Sequence, residues 1–227
     1  MFKLIRLEMR KTNFKQYIIG GFIASLIIPV FLFFLLYIDK QDSPITNINF
    51  LFLVDSITRI VFIIFSGVLI SRLIVEEYND KTITLMFTYP ISRKKIILSK
   101  LIIIIGFTLF FIVWTRLISF FTVNLLNNHF QFIIGEVTNA SILKHFISTI
   151  IYDFSASGVA LVPLFFGMKK RSTRTTIITA IIIAFFLGAG NADQSIGSFL
   201  IVPMTLTAIG LFTAYLSIHN IERTDVL

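Results

Sequence analysis

The chain has 227 residues, of which 56% are hydrophobic and only 14% are charged, whereas about a quarter of the residues in an ordinary soluble domain are charged. This composition excludes a water-soluble globular protein and predicts a membrane protein with several spans. The net charge is +8 and there is no cysteine, so a disulfide framework and a thiolate metal site are excluded as well.

Six apolar segments follow one another along the chain. All but the fifth are long enough to cross a hydrocarbon core of about 30 Å as helices, and their lack of alternation argues against barrel strands. The short fifth segment is either a tilted span or a re-entrant turn. The segments cover residues 17–38, 50–75, 101–126, 146–168, 175–190 and 199–218.

The positions of the basic residues predict the orientation, because cytoplasmic loops carry the excess of Lys and Arg. With the N-terminus inside, most basic residues fall in cytoplasmic connections, and only Lys40 and Lys144 fall outside. The prediction is an all-α integral membrane protein, a single domain with six transmembrane helices and both termini cytoplasmic. Its parts outside the spans are a basic N-terminal interfacial segment at 1–16, a cytosolic coupling loop at 76–95 and an outer loop at 127–145.

The sequence shows no set of residues that could together form a catalytic site. The phosphate-binding motif GxxxxGK[ST] and the zinc-protease motif HExxH are both absent. We therefore expect no enzyme activity, no catalytic residue, and no metal or cofactor held by this chain. The positive charge is interpreted as a sign of topology, so no nucleic-acid partner is expected.

The connection between the second and third segments is the most informative part. Ile83, Met86 and Phe87 fall on one face of a short helix that ends at Pro90. One interpretation is an interfacial helix that only packs on the membrane. The other is a docking knob, because so small an apolar face suits a preformed groove on a partner better than a lipid surface.

The same connection carries a resemblance to a known family. Glu-Glu-Tyr begins at Glu76, Lys-Thr-Ile-Thr-Leu at Lys81, and Tyr-Pro-Ile-Ser-Arg at Tyr89. This pattern resembles the permease subunits of type-2 ABC exporters, in the subgroup that moves bacitracin, lantibiotics and other amphipathic peptides. The resemblance extends over the whole length, and it is most specific from 76 to 93.

The resemblance implies a dimer in the bacterial cytoplasmic membrane, made with a second copy or with a sister permease. Each permease would dock through a coupling helix, at about 80–89, on a separate cytosolic ATP-binding cassette subunit that binds ATP and Mg. An N-terminal amphipathic helix, here 2–14, would lie along the inner membrane surface. The residues assigned to ATPase docking are Glu76, Glu77, Ile83, Leu85, Met86, Phe87, Tyr89, Pro90 and Arg93.

The function implied is ATP-driven export of an amphipathic or hydrophobic peptide, of toxin, lantibiotic or antibiotic type. A non-pumping membrane immunity or scaffold protein that binds a toxin or partner is the alternative. An ion-coupled secondary transporter that uses Asp153 or Asp55 as a proton carrier is a third possibility, but the sequence shows no paired broken helices that would support it.

Four charged residues lie within the apolar segments, where an isolated charge costs at least about 2.5–3.5 kcal/mol. Counted from the inner ends, Asp55, Arg59, Arg116 and Asp153 reach a common depth of roughly 20–25 Å. We expect Asp55 to pair with Arg59 one turn away, and Arg116 to pair with Asp153 between helices. The layer is then either a packing device or a substrate contact, unless Arg116 snorkels to the outer interface.

Overall fold

A computed structural model gives the fold of five stretches of the chain, residues 2–38, 47–79, 93–130, 139–188 and 201–221. Within these stretches the regular elements are helices and there is no strand. The elements are α1 (Phe2–Lys11), α2 (Lys15–Ile38), α3 (Asn47–Ile70), a π-helical segment (Ser71–Glu76), α4 (Glu77–Asn79), α5 (Arg93–Phe130), α6 (Asn139–Val159), α7 (Val162–Lys170), α8 (Thr173–Gly188) and α9 (Ile201–Ile221).

Four of the helical stretches are long and apolar enough to cross a membrane. They are Lys15–Leu32, Leu53–Asn79, Lys95–Thr122 and Thr149–Lys170. Shorter apolar stretches, Thr173–Leu187 and Thr207–Leu216, coincide with the fifth and sixth predicted segments. The all-α membrane fold is confirmed, while the count of six spans and the cytoplasmic placement of the termini stay predictions.

The second apolar segment departs from a regular α-helix near its end. The sequence predicts one unbroken span, but the chain widens into a π-helical turn from Ser71 to Glu76 before the short α4. Its residues Leu73, Ile74 and Val75 are buried, because the turn packs against α7 and α8. The turn and α4 together precede residues 80–92, which lie outside the described residues.

The fourth apolar segment is also divided. Helix α6 ends at Val159, and α7 begins at Val162 with Pro163 in its first turn. Proline has no N–H to donate and is well tolerated in the first turn of a helix, so Pro163 favours the start of a new helix at this point. The hydroxyl of Ser66 on α3 donates to the carbonyl of Ala160 at 3.4 Å, so the break is held against α3.

Aromatic rings form the centre of the contact between α3 and α5. Phe62 stacks on Phe111 with ring centroids 5.6 Å apart, and Phe65 stacks on Phe107 at 5.3 Å. Helix α2 covers α5 on another side, where the ring of Phe22 meets Phe111 edge-on. Helix α5 is therefore the central element that α2 and α3 share.

The N-terminal helix is shorter than the predicted 2–14, and it ends at Lys11. Asn13 then adopts a positive φ of 48°, a conformation that Asn tolerates better than most residues. This turn directs the ring of Phe14 into the core, edge-on to Phe107 at 5.8 Å. The faces of α1 are mixed, since Leu7 is 63% exposed while Glu8 is buried.

Candidate functional site

Four charged side chains from α3, α5 and α6 meet in the interior, and we call them the aspartate–arginine cluster (Asp55, Arg59, Arg116 and Asp153). Arg116 is its centre. Its Nε donates to Asp55 Oδ1 at 2.7 Å, and its two terminal nitrogens donate to the two oxygens of Asp153 at 2.6 and 2.8 Å. The bidentate pair with Asp153 is the strong geometry for a guanidinium and a carboxylate.

Arg59 is held in a different way. Its terminal nitrogen lies 3.7 Å from Asp55 Oδ2, and its Nε lies 3.8 Å from Asp153 Oδ1. Both distances exceed that of a hydrogen bond, and the Nε has no hydrogen-bond partner among the described residues. The guanidinium also lies 5.5 Å from the centre of the Tyr152 ring.

Hydroxyl groups extend this polar region between α3 and α5. Thr58 and Thr115 each lie one turn beyond the stacked Phe62 and Phe111 on these antiparallel helices, and Ser119 lies one turn further. Their hydroxyls are buried without a hydrogen-bond partner in the described part of the chain. Such groups are uncommon in apolar interiors, so this layer can hold a polar or charged group.

The arrangement differs from two separate ion pairs. Arg116 contacts both aspartates, and each aspartate lies near both arginines. Arg116 is only 3% exposed, so it does not snorkel to an interface. The cluster therefore ties three helices together through one side chain.

A second charged cluster lies at the other end of α5 from Arg116, and we call it the Lys100 cluster (Glu8, Lys11, Glu77 and Lys100). Two of its residues stand on the elements that precede and follow residues 80–92 in the sequence, Glu77 on α4 and Lys100 on α5. The Nζ of Lys100 donates to the carbonyl of Leu73 at 2.7 Å and to a carboxylate oxygen of Glu77. The other oxygen of Glu77 accepts from Lys11 at 3.1 Å. The cluster thus links α1, the π-helical turn, α4 and α5.

Glu8 completes this cluster from α1. Its Oε2 lies 3.7 Å from Lys100 Nζ and has no hydrogen-bond partner among the residues described. Burial raises the pKa of the Glu8 carboxyl above its ordinary value of 4.5, and the nearby Lys100 opposes that rise only in part. Glu8 is therefore an acid that the fold holds in a poorly solvated place.

Three predicted docking residues, Glu76, Glu77 and Arg93, stand in the described part of the chain, and Glu77 belongs to this cluster. Glu76 accepts from Arg72 at 2.7 Å, Glu77 binds Lys100, and α5 begins at Arg93. Arg171, just after α7, lies over the Tyr78 ring at 5.7 Å. The remaining docking residues lie outside the described residues, namely Ile83, Leu85, Met86, Phe87, Tyr89 and Pro90.

The sequence does not reveal Lys100 as a buried group. We expect it at the lipid headgroups together with the basic residues that begin the third span, but it is only 1% exposed. Its separation from the basic residues 93–95 by Ile96, Ile97 and Leu98 was the available signal. Glu8, the one acid in a strongly basic N-terminal segment, was the matching signal for its partner.

Comparison with known proteins assigns the chain to a family. The family model described as ABC-2 family transporter protein matches residues 4–191. The chain belongs to the ABC-2 family of transporters. It is also 38% identical over 226 residues to an uncharacterized Bacillus subtilis (strain 168) protein, YcbO, with 98% of this chain and 99% of that protein covered. No solved structure matches the chain.

Membership fixes the general role of the molecule. An ABC-2 membrane component is the permease part of an ABC transporter and generally not its ATPase. It belongs in a lipid membrane as a multi-pass protein and implies an ATP-binding cassette partner. Both charged clusters lie within the matched residues, so they are parts of a permease.

Proposed function

We propose that this permease exports an amphipathic or hydrophobic peptide, of toxin, lantibiotic or antibiotic type, from a bacterial cell or its cytoplasmic membrane. A separate cytosolic subunit binds ATP and Mg, and the permease acts as a dimer with a second copy or a sister permease. The full-length likeness to a Bacillus subtilis protein supports the bacterial setting.

The Lys100 cluster is the observation that carries the proposal. Energy coupling needs a docking segment whose movement reaches the spans, and residues 80–92 are flanked by α4 and α5. Lys100 on α5 holds Glu77 on α4 and the carbonyl of Leu73 in the π-helical turn. A displacement of residues 80–92 would therefore move α4 with its preceding span and also α5. Through Lys11 and Glu8 it would also reach α1.

The aspartate–arginine cluster supports transport in a second way. Three helices meet at one arginine, and near it lie polar groups that have no hydrogen-bond partner within the described stretches of the chain. Tightly packed apolar helices would resist rearrangement, whereas a polar layer offers alternative hydrogen-bond arrangements between the same helices.

The first experiment tests docking. In Phe87→Asp a charge replaces the aromatic anchor of the predicted knob, and Thr88→Asp places the same charge on the far side of the same short helix. Co-purification of the ATP-binding subunit with the permease should fall about tenfold or more in Phe87→Asp and stay near the unmodified level in Thr88→Asp. Equal recovery with both variants would contradict the docking role.

A scaffold or immunity protein is the second candidate. It would bind a peptide without using ATP, so it needs no docking segment. The Lys100 cluster joins α4 and α5, the elements before and after residues 80–92 in the sequence. This link favours the exporter over a scaffold or immunity protein.

A further inference from the structure

The two arginines of the aspartate–arginine cluster are held unequally. Arg116 makes three hydrogen bonds of 2.6 to 2.8 Å to the two aspartates, and its side chain is 4% exposed. Arg59 approaches the same carboxylates only to 3.7 and 3.8 Å, and its side chain is 17% exposed. Hydrogen bonds to both aspartates therefore fix the Arg116 side chain in place. Arg59 makes no hydrogen bond to either aspartate, so it can move toward the surface without breaking one.

The charge of the cluster indicates what can replace Arg59. Two carboxylates and Arg116 together carry one negative charge, which Arg59 balances. An anion added at Arg59 would leave an excess negative charge in a poorly solvated layer, which is costly. A cation that takes the position of Arg59 leaves the balance unchanged.

An organic cation fits this position better than a metal ion. Hard metal ions take six or more oxygen ligands, and no group of three or more potential metal-ligating side chains is present among the described residues. Ammonium and guanidinium groups need only the two carboxylate oxygens that Arg59 now approaches, Asp55 Oδ2 and Asp153 Oδ1. The Tyr152 ring, which Arg59 now faces at 5.5 Å, attracts such a cation as well.

We propose that Asp55 and Asp153 form a cation seat whose resident is Arg59, and that an ammonium or guanidinium group of the transported substrate exchanges with it. The substrate part rests on the proposed export function. It narrows the substrate to an amphipathic molecule with a positive group, which reaches the seat from the exposed edge of Arg59.

The first test empties the seat and refills it. In detergent, Arg59→Ala should lower the melting temperature by roughly 5 °C, and millimolar methylguanidinium should restore much of this loss in a saturable way. Methylurea, which has the same shape and no charge, should restore nothing. Arg116→Ala should show no such recovery, because only 4% of the Arg116 side chain is exposed, against 17% for Arg59, so a dissolved ion reaches that position far less easily.

Two further variants provide a replacement in case Arg59→Ala does not fold and a control that removes one carboxylate of the cation seat. Arg59→Gln preserves the length of the side chain and is measured in the same way if Arg59→Ala does not fold. Adding Asp153→Asn to either variant should abolish the recovery by methylguanidinium. Recovery that methylurea reproduces, or that survives Asp153→Asn, would overturn the cation seat.

The second test uses the unmodified protein. Phenylglyoxal modifies accessible arginines, and mass spectrometry reports the modified fraction at each position. Dodecylammonium should raise the modification of Arg59 severalfold and leave Arg116 unchanged, whereas dodecanol should change neither. No rise at Arg59, or an equal rise with dodecanol, would show that an amphipathic cation does not exchange with Arg59.

Failure of these tests and failure of the export function are distinguishable. Neither test needs ATP, a partner subunit or transport. A negative result removes the cation seat and leaves ATP-driven export standing, while absence of ATP-driven transport leaves the result at the seat unaffected.

Discussion

Arg116 holds α3, α5 and α6 together with one planar group, and its removal should show how strongly. Arg116→Ala leaves two buried carboxylates with only the distant Arg59, and Asp153→Ala leaves two arginines with Asp55. Each should lower the free energy of unfolding by about 3–5 kcal/mol, less where water enters. The measurement is denaturation of the purified permease in detergent.

The double variant isolates the pair. Arg116→Ala combined with Asp153→Ala leaves Asp55 beside Arg59, so part of the loss should be recovered. Losses that simply add would show that Arg116 and Asp153 are not energetically coupled, whatever their distance.

Glu8 gives a prediction about pH. Its folded-state pKa is raised by burial, so above its ordinary pKa the folded protein binds more protons than the unfolded chain. The contribution of Glu8 to stability therefore falls as the pH rises from 4.5 through the raised value. Glu8→Gln cannot ionise, so its stability relative to the unmodified protein should increase over that interval and then level off.

The comparison for this prediction is Glu77→Gln. Glu77 binds Lys100 and Lys11 directly, so its loss leaves Lys100 poorly compensated and should destabilise the protein at neutral pH. The measurement is the unfolding midpoint at a series of pH values. A constant difference between Glu8→Gln and the unmodified protein at every pH would contradict the assignment.

The partners of a charged residue could be predicted from the sequence where the depth of that residue in the membrane alone determines them. Asp55, Arg59, Arg116 and Asp153 share a depth because each can be counted from a basic end of its apolar run, and charges in that layer need partners. The unequal hold on Arg59 was not predictable, because it depends on side-chain orientation. Lys100 was not predictable as a buried group, because its hydrogen-bond partners, the carbonyl of Leu73 and the carboxylate of Glu77, lie on another span, and Glu8 lies on the distant α1.

At the scale of the elements, the pair of α3 and α8 offers a packing test. A Cβ on Gly67 would overlap the Cβ of Ala180, so these helices approach as closely as glycine permits. Gly67→Ala should lower the free energy of unfolding by about 1–3 kcal/mol, and Ala180→Gly in the same chain should restore part of it. Denaturation in detergent measures both.

Gly106 supplies the matched control for this prediction. A Cβ on Gly106 meets no atom within 4 Å, so Gly106→Ala should be neutral or slightly stabilising in a helix interior. A loss in Gly106→Ala equal to that in Gly67→Ala would show that close packing is not the cause.

The helices were predictable from the apolar runs, because each run is long enough to be helical. The breaks were not. The π-helical turn has no compositional mark, since Leu73, Ile74 and Val75 read as ordinary span. The break before α7 had a mark in Pro163, but proline also occurs inside α2 at Pro29, so it does not decide a break by itself.

At the scale of the whole molecule, α5 connects the two charged clusters. Lys100 and Arg116 lie about 24 Å apart along this helix, one in the Lys100 cluster and the other in the polar layer. If residues 80–92 dock on the ATP-binding subunit as proposed, a movement of α5 that starts at Lys100 would also move Arg116 against α3 and α6. The proposed function then has a physical route from ATP binding in a partner to rearrangement among the spans.

ATP-driven peptide movement is the central claim, and inverted membrane vesicles test it most directly. Vesicles that contain the permease and its ATP-binding subunit receive fluorescently labelled bacitracin or a labelled lantibiotic, with ATP or with a non-hydrolysable analogue. We predict accumulation inside the vesicles only with ATP, and its loss in Phe87→Asp. Equal retention of the peptide with and without ATP would contradict export and favour a binding protein that does not pump.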